Sequence, residues 1–574
     1  MYTQEKVNLL TINNRASKNI NPTPSFRGGN LITPLLKSNT TTSLMKKIEN
    51  PIYGLLFVNF TSLVIPRIYI DSKRNKYAGA ETAFYELSST ATNYALPGLI
   101  ALGVAKAAEK FNNPLGINTK GWVDNQTTES LGNLYKQSIV AGNKEKTLDN
   151  FLENSLKRIK GHNGSDLVWK GLDENPNIIQ ELKESLKTSI LSDKNLNKDS
   201  AKKIAHSIAN EIGAFDNVKI SGIAPAGKDL NVNLPKYISN VEYLAKQFQK
   251  SHTSESTPVI TNNISGIIKK IKGTNKFKTL ISLGIVCGIG FAVPFINRHI
   301  TKKRTGKDDF VGYSDFCSDL PKEKEKMTEN KLQKLSFKGY ESSQFLPTQT
   351  QLKSPIYPIG IIGRLFASRG KDEVREVGVK SGFTYLNFLI IPSLFANIVA
   401  AGFKNKHVFN NLNNENLIKN TDNIFGKIIN KIKSINNLKL RSYDDIEIYA
   451  KSVGEKLSTL KEQEFKKHLT GLIKDPSILL NDLKTTGKEQ RASVIAESIK
   501  KELNGIKNIS KFAGIAYSCL TLGIGINLLN VYMTNKSREK QLLAMKKNNA
   551  EINNSKSAIS LQAADFFKVH KQYV

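Results

Sequence analysis

Cysteine is scarce in this chain, with three in 574 residues. Cys287 and Cys519 lie in apolar runs and Cys317 in a polar stretch, with no CxxC spacing. That excludes a disulfide framework and a cysteine zinc site. The seven histidines, His162, His206, His252, His299, His407, His468 and His570, never stand three or four residues apart. A helix therefore offers no paired imidazoles for a metal. GxxxxGK[ST], GxSxG and HExxH are all missing. Residues 514–525 are glycine-rich but apolar, which reads as helix packing and not as a phosphate cradle. No cofactor, metal or catalytic residue is expected, and an enzyme is the weakest of the functional classes.

Acidic residues are also short. Lys and Arg number 83 against 50 Asp and Glu, for a net charge of +33. Such a balance points to nucleic acid or to an anionic membrane surface. Arginine clusters, interleaved stacking aromatics and a nucleic-acid motif are absent, so nucleic acid is not an expected partner. Lys, Asn and Ile are abundant together, as in AT-rich coding sequence, and this accounts for part of the charge. An N-terminal signal is lacking as well. The first apolar run begins near Ile52, too late for a cleavable h-region. Residues 1–50 are polar and expected to be disordered.

What is present is a pattern that occurs twice. Shifting the chain by 295 residues lays Arg74–Ala105 on Arg369–Ala400. Arg74 meets Arg369, Lys76 meets Lys371, Glu81 meets Glu376, Pro97 meets Pro392 and Ala101 meets Ala396. Ala201–Gly213 matches Ala492–Asn504, and Lys278–Lys303 matches Lys511–Lys536, where Gly290, Asn297, Thr301 and Lys303 meet Gly523, Asn530, Thr534 and Lys536. Blocks in one order imply a tandem duplication.

Each copy holds a basic stretch and then a long apolar run, the layout of a membrane anchor and a span. The expected fold is all-α, with integral membrane helices and two soluble helical domains in tandem duplication. Residues 51–106 form the first membrane segment, with an interfacial or re-entrant run and a span at 87–105. Residues 107–278 form a soluble helical domain with an insertion at 214–262 that projects from it. A span at 279–297 returns to a basic polar linker at 298–354. The second half repeats this order: a membrane segment at 355–403 with its span at 382–403, a soluble domain at 404–511, a span at 512–533 and a basic tail at 534–574. Pro97 and Pro392 are expected to kink their spans.

Small residues four apart mark candidate packing faces: Ala101 and Ala105, Ala396 and Ala400, Gly284 and Gly288, Gly514 and Ser518. The two alanine pairs are expected to meet each other across the halves. Arg74, Lys76, Arg369, Lys371, Arg298, Lys303 and Lys536 are the candidate anchors to anionic lipid headgroups. The basic clusters after the return spans put both termini and residues 298–381 in the cytoplasm and both helical domains outside. No ionisable residue lies near the centre of a span, which speaks against an ion-coupled carrier. The expected place is a bacterial cytoplasmic membrane. The expected role is a membrane-anchored interaction or structural protein whose soluble domains meet protein partners. A transporter or channel component built from two duplicated halves is the alternative.

Overall fold

The computed structural model describes residues 36–49, 57, 59–94, 96–110, 123–161, 171–192, 198–215, 218–224, 227–252, 256–317, 349–389, 391–409, 438–485 and 487–570. Expectations for residues 1–35, most of the 298–354 linker and residues 410–437 fall outside these.

The described chain is mostly helical. It opens with α1, Asn39–Glu49, where composition predicts disorder. A π-helical turn, Phe60–Val64, runs into α2, Ile65–Arg74. After a turn at Asn75 come α3, Lys76–Tyr94, and α4, Leu96–Lys110. Pro97 lies in α4 and Pro392 in α13 below. Residues 95 and 390, where each of these helices meets the one before it, are outside the described residues, and so are the kinks expected there.

The first large core is built from α5, Asn125–Gln137, and α6, Lys144–Lys157, each started by a side-chain cap from Asp124 or Asn143. Strand β1, Ile159–Lys160, precedes α7, Pro176–Leu191, and α8, Lys198–Ile212. Then come β2, Val218–Ala224, β3, Lys228–Val232, and α9, Leu234–Ser251. The three strands make an antiparallel sheet in the order β1-β2-β3, with Ile220 opposite both Ile159 and Leu230. This corrects two expectations. The domain is not purely helical, and residues 214–262 do not project as an extra. Val218, Ile220, Leu234, Tyr237 and Phe248 are fully buried in one core with Phe151 and Leu152 of α6. Gly222, with φ of +66°, lies within β2 where the register shifts between Ile220 and Ala224, and Gly227, with φ of +70°, directly precedes β3.

Next, α10, Thr257–Thr305, is one helix of 49 residues. Its first half buries Ile260, Ile264, Ile268 and Ile271 in the soluble core, and its second half is the apolar run. The boundary expected at 278 is therefore a change of surroundings and not of structure. The second half of the chain gives α11, Gln349–Ala367, α12, Lys371–Leu389, and α13, Ile391–Gly402. Its own core is built from α14, Tyr443–Ser458, α15, Glu462–Leu472, and α16, Ser477–Thr485. Then α17, Lys488–Ser518, passes through a π-helical turn at Cys519–Gly525 into α18, Ile526–His570. Ile495, Ile499, Leu503 and Ile506 of α17 enter the second core with the same spacing as the four isoleucines of α10. The match of 201–213 with 492–504 thus pairs helices with different places in the order, because α8 does not continue into an apolar run.

The packing is partly within halves and partly exchanged. Helix α4 lies along α10 and α13 along α17, each within its own half. By contrast α11 lies along α10, and the start of α2 lies along the turn at 519–525. Glycines permit both exchanged seams. A Cβ on Gly363 would stand 2.8 Å from the Phe291 Cα, and one on Gly523 would stand 2.2 Å from the Ser62 carbonyl oxygen.

Helix α1 and Arg538 mark different stretches of α17–α18. Helix α1 packs near residues 502–511, through Lys37 to Glu502 at 3.0 Å and Glu49 to Lys507 at 2.6 Å. Farther along, Arg538 binds Asp315 at 2.8 Å. Lys507 is fully buried, and its ammonium lies 3.9 Å over the Tyr443 ring. Burial pushes the Glu49 carboxyl up, but the charges and hydrogen bonds of Lys507 and Lys511 more than reverse this and hold it below the ordinary value. A carboxyl lowered by folding stabilises above its ordinary pKa, and that stability is lost as pH falls through the folded value. We therefore expect the contact of α1 with α17 to loosen as pH falls below the ordinary carboxylate range. Hydrogen exchange over residues 39–49 should accelerate there and not at pH 7. Glu49→Gln should make exchange equally fast at both pH values, and an unchanged pH response in that variant would contradict the assignment.

Candidate functional site

The site lies where α2, α3, α10, α11, α12 and α18 converge. Asn75 shapes its near edge: its Oδ1 accepts from the Ala78 amide at 2.8 Å, and its Nδ2 donates to the Val311 carbonyl at 2.7 Å. This turns α2 sharply into α3, so that Arg74 and Glu81 both face the centre.

Two contacts there are reciprocal. Arg74 donates to Glu376 at 2.6 Å, and Arg369 donates to Glu81. Each arginine of one half thus holds the glutamate of the other, the relation expected at a two-fold contact. The supports match. Thr534 donates to the Glu376 carboxylate at 3.0 Å and Thr301 to the Glu81 carboxylate at 2.8 Å. Asn530 Nδ2 lies 3.5 Å from the Glu376 carbonyl, and Asn297 Nδ2 donates to the Glu81 carbonyl at 2.9 Å.

Other charges break the match. Lys380 bridges Asp71 at 3.1 Å and Glu376 at 2.8 Å. Arg74 also reaches Asp71 at 3.3 Å, and Thr82 donates to Asp71 at 2.7 Å. Arg369 has a second partner in Glu373 at 2.9 Å. Deeper in, Arg67 binds Glu86 at 2.7 Å and donates to Thr384. The Arg364 guanidinium lies 3.9 Å over the Tyr85 ring. The side chains of Arg74, Glu376, Asp71 and Lys380 are each at most 6% exposed. Taking such charges from water costs several kcal/mol per ion, so pairing is obligatory.

Two small cavities, each about 50 Å³, adjoin this cluster and share Tyr85 and Arg364. Each has room for about one or two waters. The cluster is therefore filled by its own ion pairs.

The residues singled out by sequence are scattered around it. Arg74 and Arg369 are not free to meet lipid headgroups, because both are withdrawn into ion pairs. Arg298, one-third exposed, pairs with Asp308 at 2.8 Å. Lys76, Lys371, Lys303 and Lys536 are exposed. Ala101, Ala105, Ala396 and Ala400 are buried, on helices of which α4 packs along α10 and α13 along α17. Gly514 and Ser518 are buried, with the Ser518 hydroxyl donating to the Gly514 carbonyl at 3.0 Å. Gly284 and Gly288 are exposed, and a Cβ on either would meet nothing within 4 Å. The inward face at that level is Ser282 and Val286, so the glycine pair does not form a seam. Sequence reasoning aligned Glu81 with Glu376 without giving either a role. It missed Arg67, Asp71, Glu86 and Lys380, which lie on helical runs whose opposite faces are apolar.

No family model, curated protein or solved structure matches this chain.

The two reciprocal pairs differ in what remains when a carboxylate is removed. Glu376→Gln leaves Asp71 alone against Arg74 and Lys380, one buried cation in excess. Glu81→Gln leaves Arg369 with Glu373, one cation against one carboxylate. We expect Glu376→Gln to destabilise by roughly 3–5 kcal/mol and Glu81→Gln by clearly less. Thermal unfolding of both variants in detergent solution checks the order, and equal losses would contradict the charge count.

Proposed function

We propose that this chain is an integral membrane platform, in which two duplicated halves lock together through a charged core and hold two soluble helical domains at one end for protein partners. One observation carries the reading. The helix bundle has its charges inside and its large apolar side chains outside. Leu99, Leu280, Phe366, Leu520 and Leu529 are each more than half exposed, while Arg74, Asp71, Glu376 and Lys380 are enclosed. Water does not favour that arrangement, whereas hydrocarbon does. Two helices, within Thr257–Thr305 and Gln490–Lys556, are long and apolar enough to cross a membrane by length and composition. The reciprocal Arg–Glu pairs with their matching Thr and Asn supports favour the duplication. Filled packing around the charges favours a structural role.

The basic clusters after the return helices put the α18 end in the cytoplasm. The soluble domains and α1 then lie together on the other side, in a bacterial cytoplasmic membrane. A transport role is the second reading, favoured by the two polar cavities that meet at Arg364 and Tyr85.

Single cysteines in a cysteine-free background test both. Thr40→Cys and Glu184→Cys should react from one side of sealed vesicles and Glu551→Cys from the other. Labelling of all three from one side, or release of the protein by alkaline carbonate, would contradict the platform in its membrane form. Ser381→Cys should stay protected from both sides. Its reaction with small thiol reagents from either side would favour transport.

A further inference from the structure

We infer that the free end of α18 is a dimer interface, and that its partner is the same helix of a second copy, wound against it as a parallel two-stranded coiled coil. Helix α18 runs for 45 residues. As far as Gln541 it rests on its own chain, through Asn530, Thr534, Ser537, Arg538 and Gln541. Beyond that it leaves the bundle, and every residue from Leu542 to Lys556 is exposed. A lone helix of this length is marginal in water. It also lacks the ion pairs that sustain a solvated helix, since Glu551 is the only acid between Lys540 and Gln562. Such a helix calls for a partner.

The residues along it say which. Met545, Ile552, Ile559 and Phe566 recur every seventh position. Three residues before each stand Leu542, Asn549, Lys556 and Ala563, which completes a heptad repeat with two core positions. Leu542, Met545 and Ile552 are 37%, 53% and 50% exposed, so their own chain does not cover the stripe. Leu543, also exposed, stands singly off it. In a parallel pair Asn548 of one helix flanks Asn553 of the other, and Ser555 flanks Ser560. None of these four is charged, in a chain of net charge +33, so identical helices meet along their flanks without repulsion. Asn549 meets its own copy in the seam, where a single asparagine fixes register. Lys556 is the like-charged core position, tolerated at a cost in stability with its stem packed and its ammonium in water. From Leu542 to His570 the seam is about 42 Å long. If each helix gives up roughly a third of its girth, the pair buries about 1,100 Å², which barely clears the roughly 1,000 Å² of a specific interface. Confinement in one bilayer makes up the difference, because it holds two copies close and points both helices the same way. The parallel sense therefore rests on the membrane platform reading.

Disulfide cross-linking of the full-length chain in membranes tests this. In a cysteine-free background, Met545→Cys, Ile552→Cys and Ile559→Cys are oxidised with copper phenanthroline. Each should give linked dimer several-fold faster than Asn554→Cys, which lies on the outer side of the repeat. Ile552→Asp should abolish linking through Met545→Cys, and Lys556→Leu should speed it. Equal linking at 552 and 554, or none at 552, would overturn the interface. Linking at 552 without 545 and 559 would overturn the parallel pair, because an antiparallel one joins only its midpoint to itself. Protection of Ile552→Cys from a water-soluble maleimide in unlinked protein would show that lipid or the same chain covers the stripe, and would also overturn it. Alkaline carbonate on the same membranes reports the platform reading separately: protein that stays in the membrane without linking refutes the dimer alone.

Discussion

A guanidinium withdrawn from water requires a carboxylate within a few ångströms, and for Arg74 and Arg369 the halves supply it to each other. Arg74 reaches across to Glu376 and Arg369 across to Glu81. Each glutamate lies on the helix that follows the neighbouring turn, and each is steadied by a threonine and an asparagine from its own return helix. Each arginine also has a carboxylate of its own half, Asp71 for Arg74 and Glu373 for Arg369, and the exchange ties these local pairs into one network. The exchanged seams of α11 on α10 and of α2 on the 519–525 turn follow from the same geometry, because they bring the arginines into reach. Charge pairing of this kind is costly to assemble and more costly to leave half-made, so it fixes the register more than it adds stability.

The long helices carry that register outward. Because α10 and α17–α18 run unbroken between the soluble cores and the charged cluster, each soluble domain is positioned by the rod that also holds the cluster. Ile260 and Ile264 at one end of α10 and Asn297 and Thr301 at the other belong to one rigid element. The soluble domains touch as well: the Phe215 amide donates to Asp445 at 3.1 Å.

Much of this was legible in the sequence, and the reasons for the rest are physical. The apolar runs, the helical periodicities in both soluble domains and the paired positions Arg74/Arg369, Glu81/Glu376, Asn297/Asn530 and Thr301/Thr534 could all be read directly. What could not be read was which copy pairs with which. An alignment treats Arg74 and Arg369 as equivalents, whereas the contact joins Arg74 to the equivalent of Glu81. The hairpin at 218–232 was hidden because its glycines are also loop signals and its strands are short. The packing glycines were misplaced for a related reason. Gly284 and Gly288 have the spacing of a seam, but α4 meets the face of Ser282 and Val286, and the close approaches fall at Gly363 and Gly523 instead. Buried charges such as Arg67 and Lys380 were masked by the apolar residues on the other face of the same helices.

The central claim is that the halves are held in register by exchanged ion pairs. A double-mutant cycle on Arg74→Gln and Glu376→Gln, read by thermal unfolding of the full chain, tests it most directly. The account predicts that the double variant is more stable than the sum of the single losses implies, by a coupling of about 1.5–3 kcal/mol. A coupling near zero would contradict it, since the two side chains would then contribute independently.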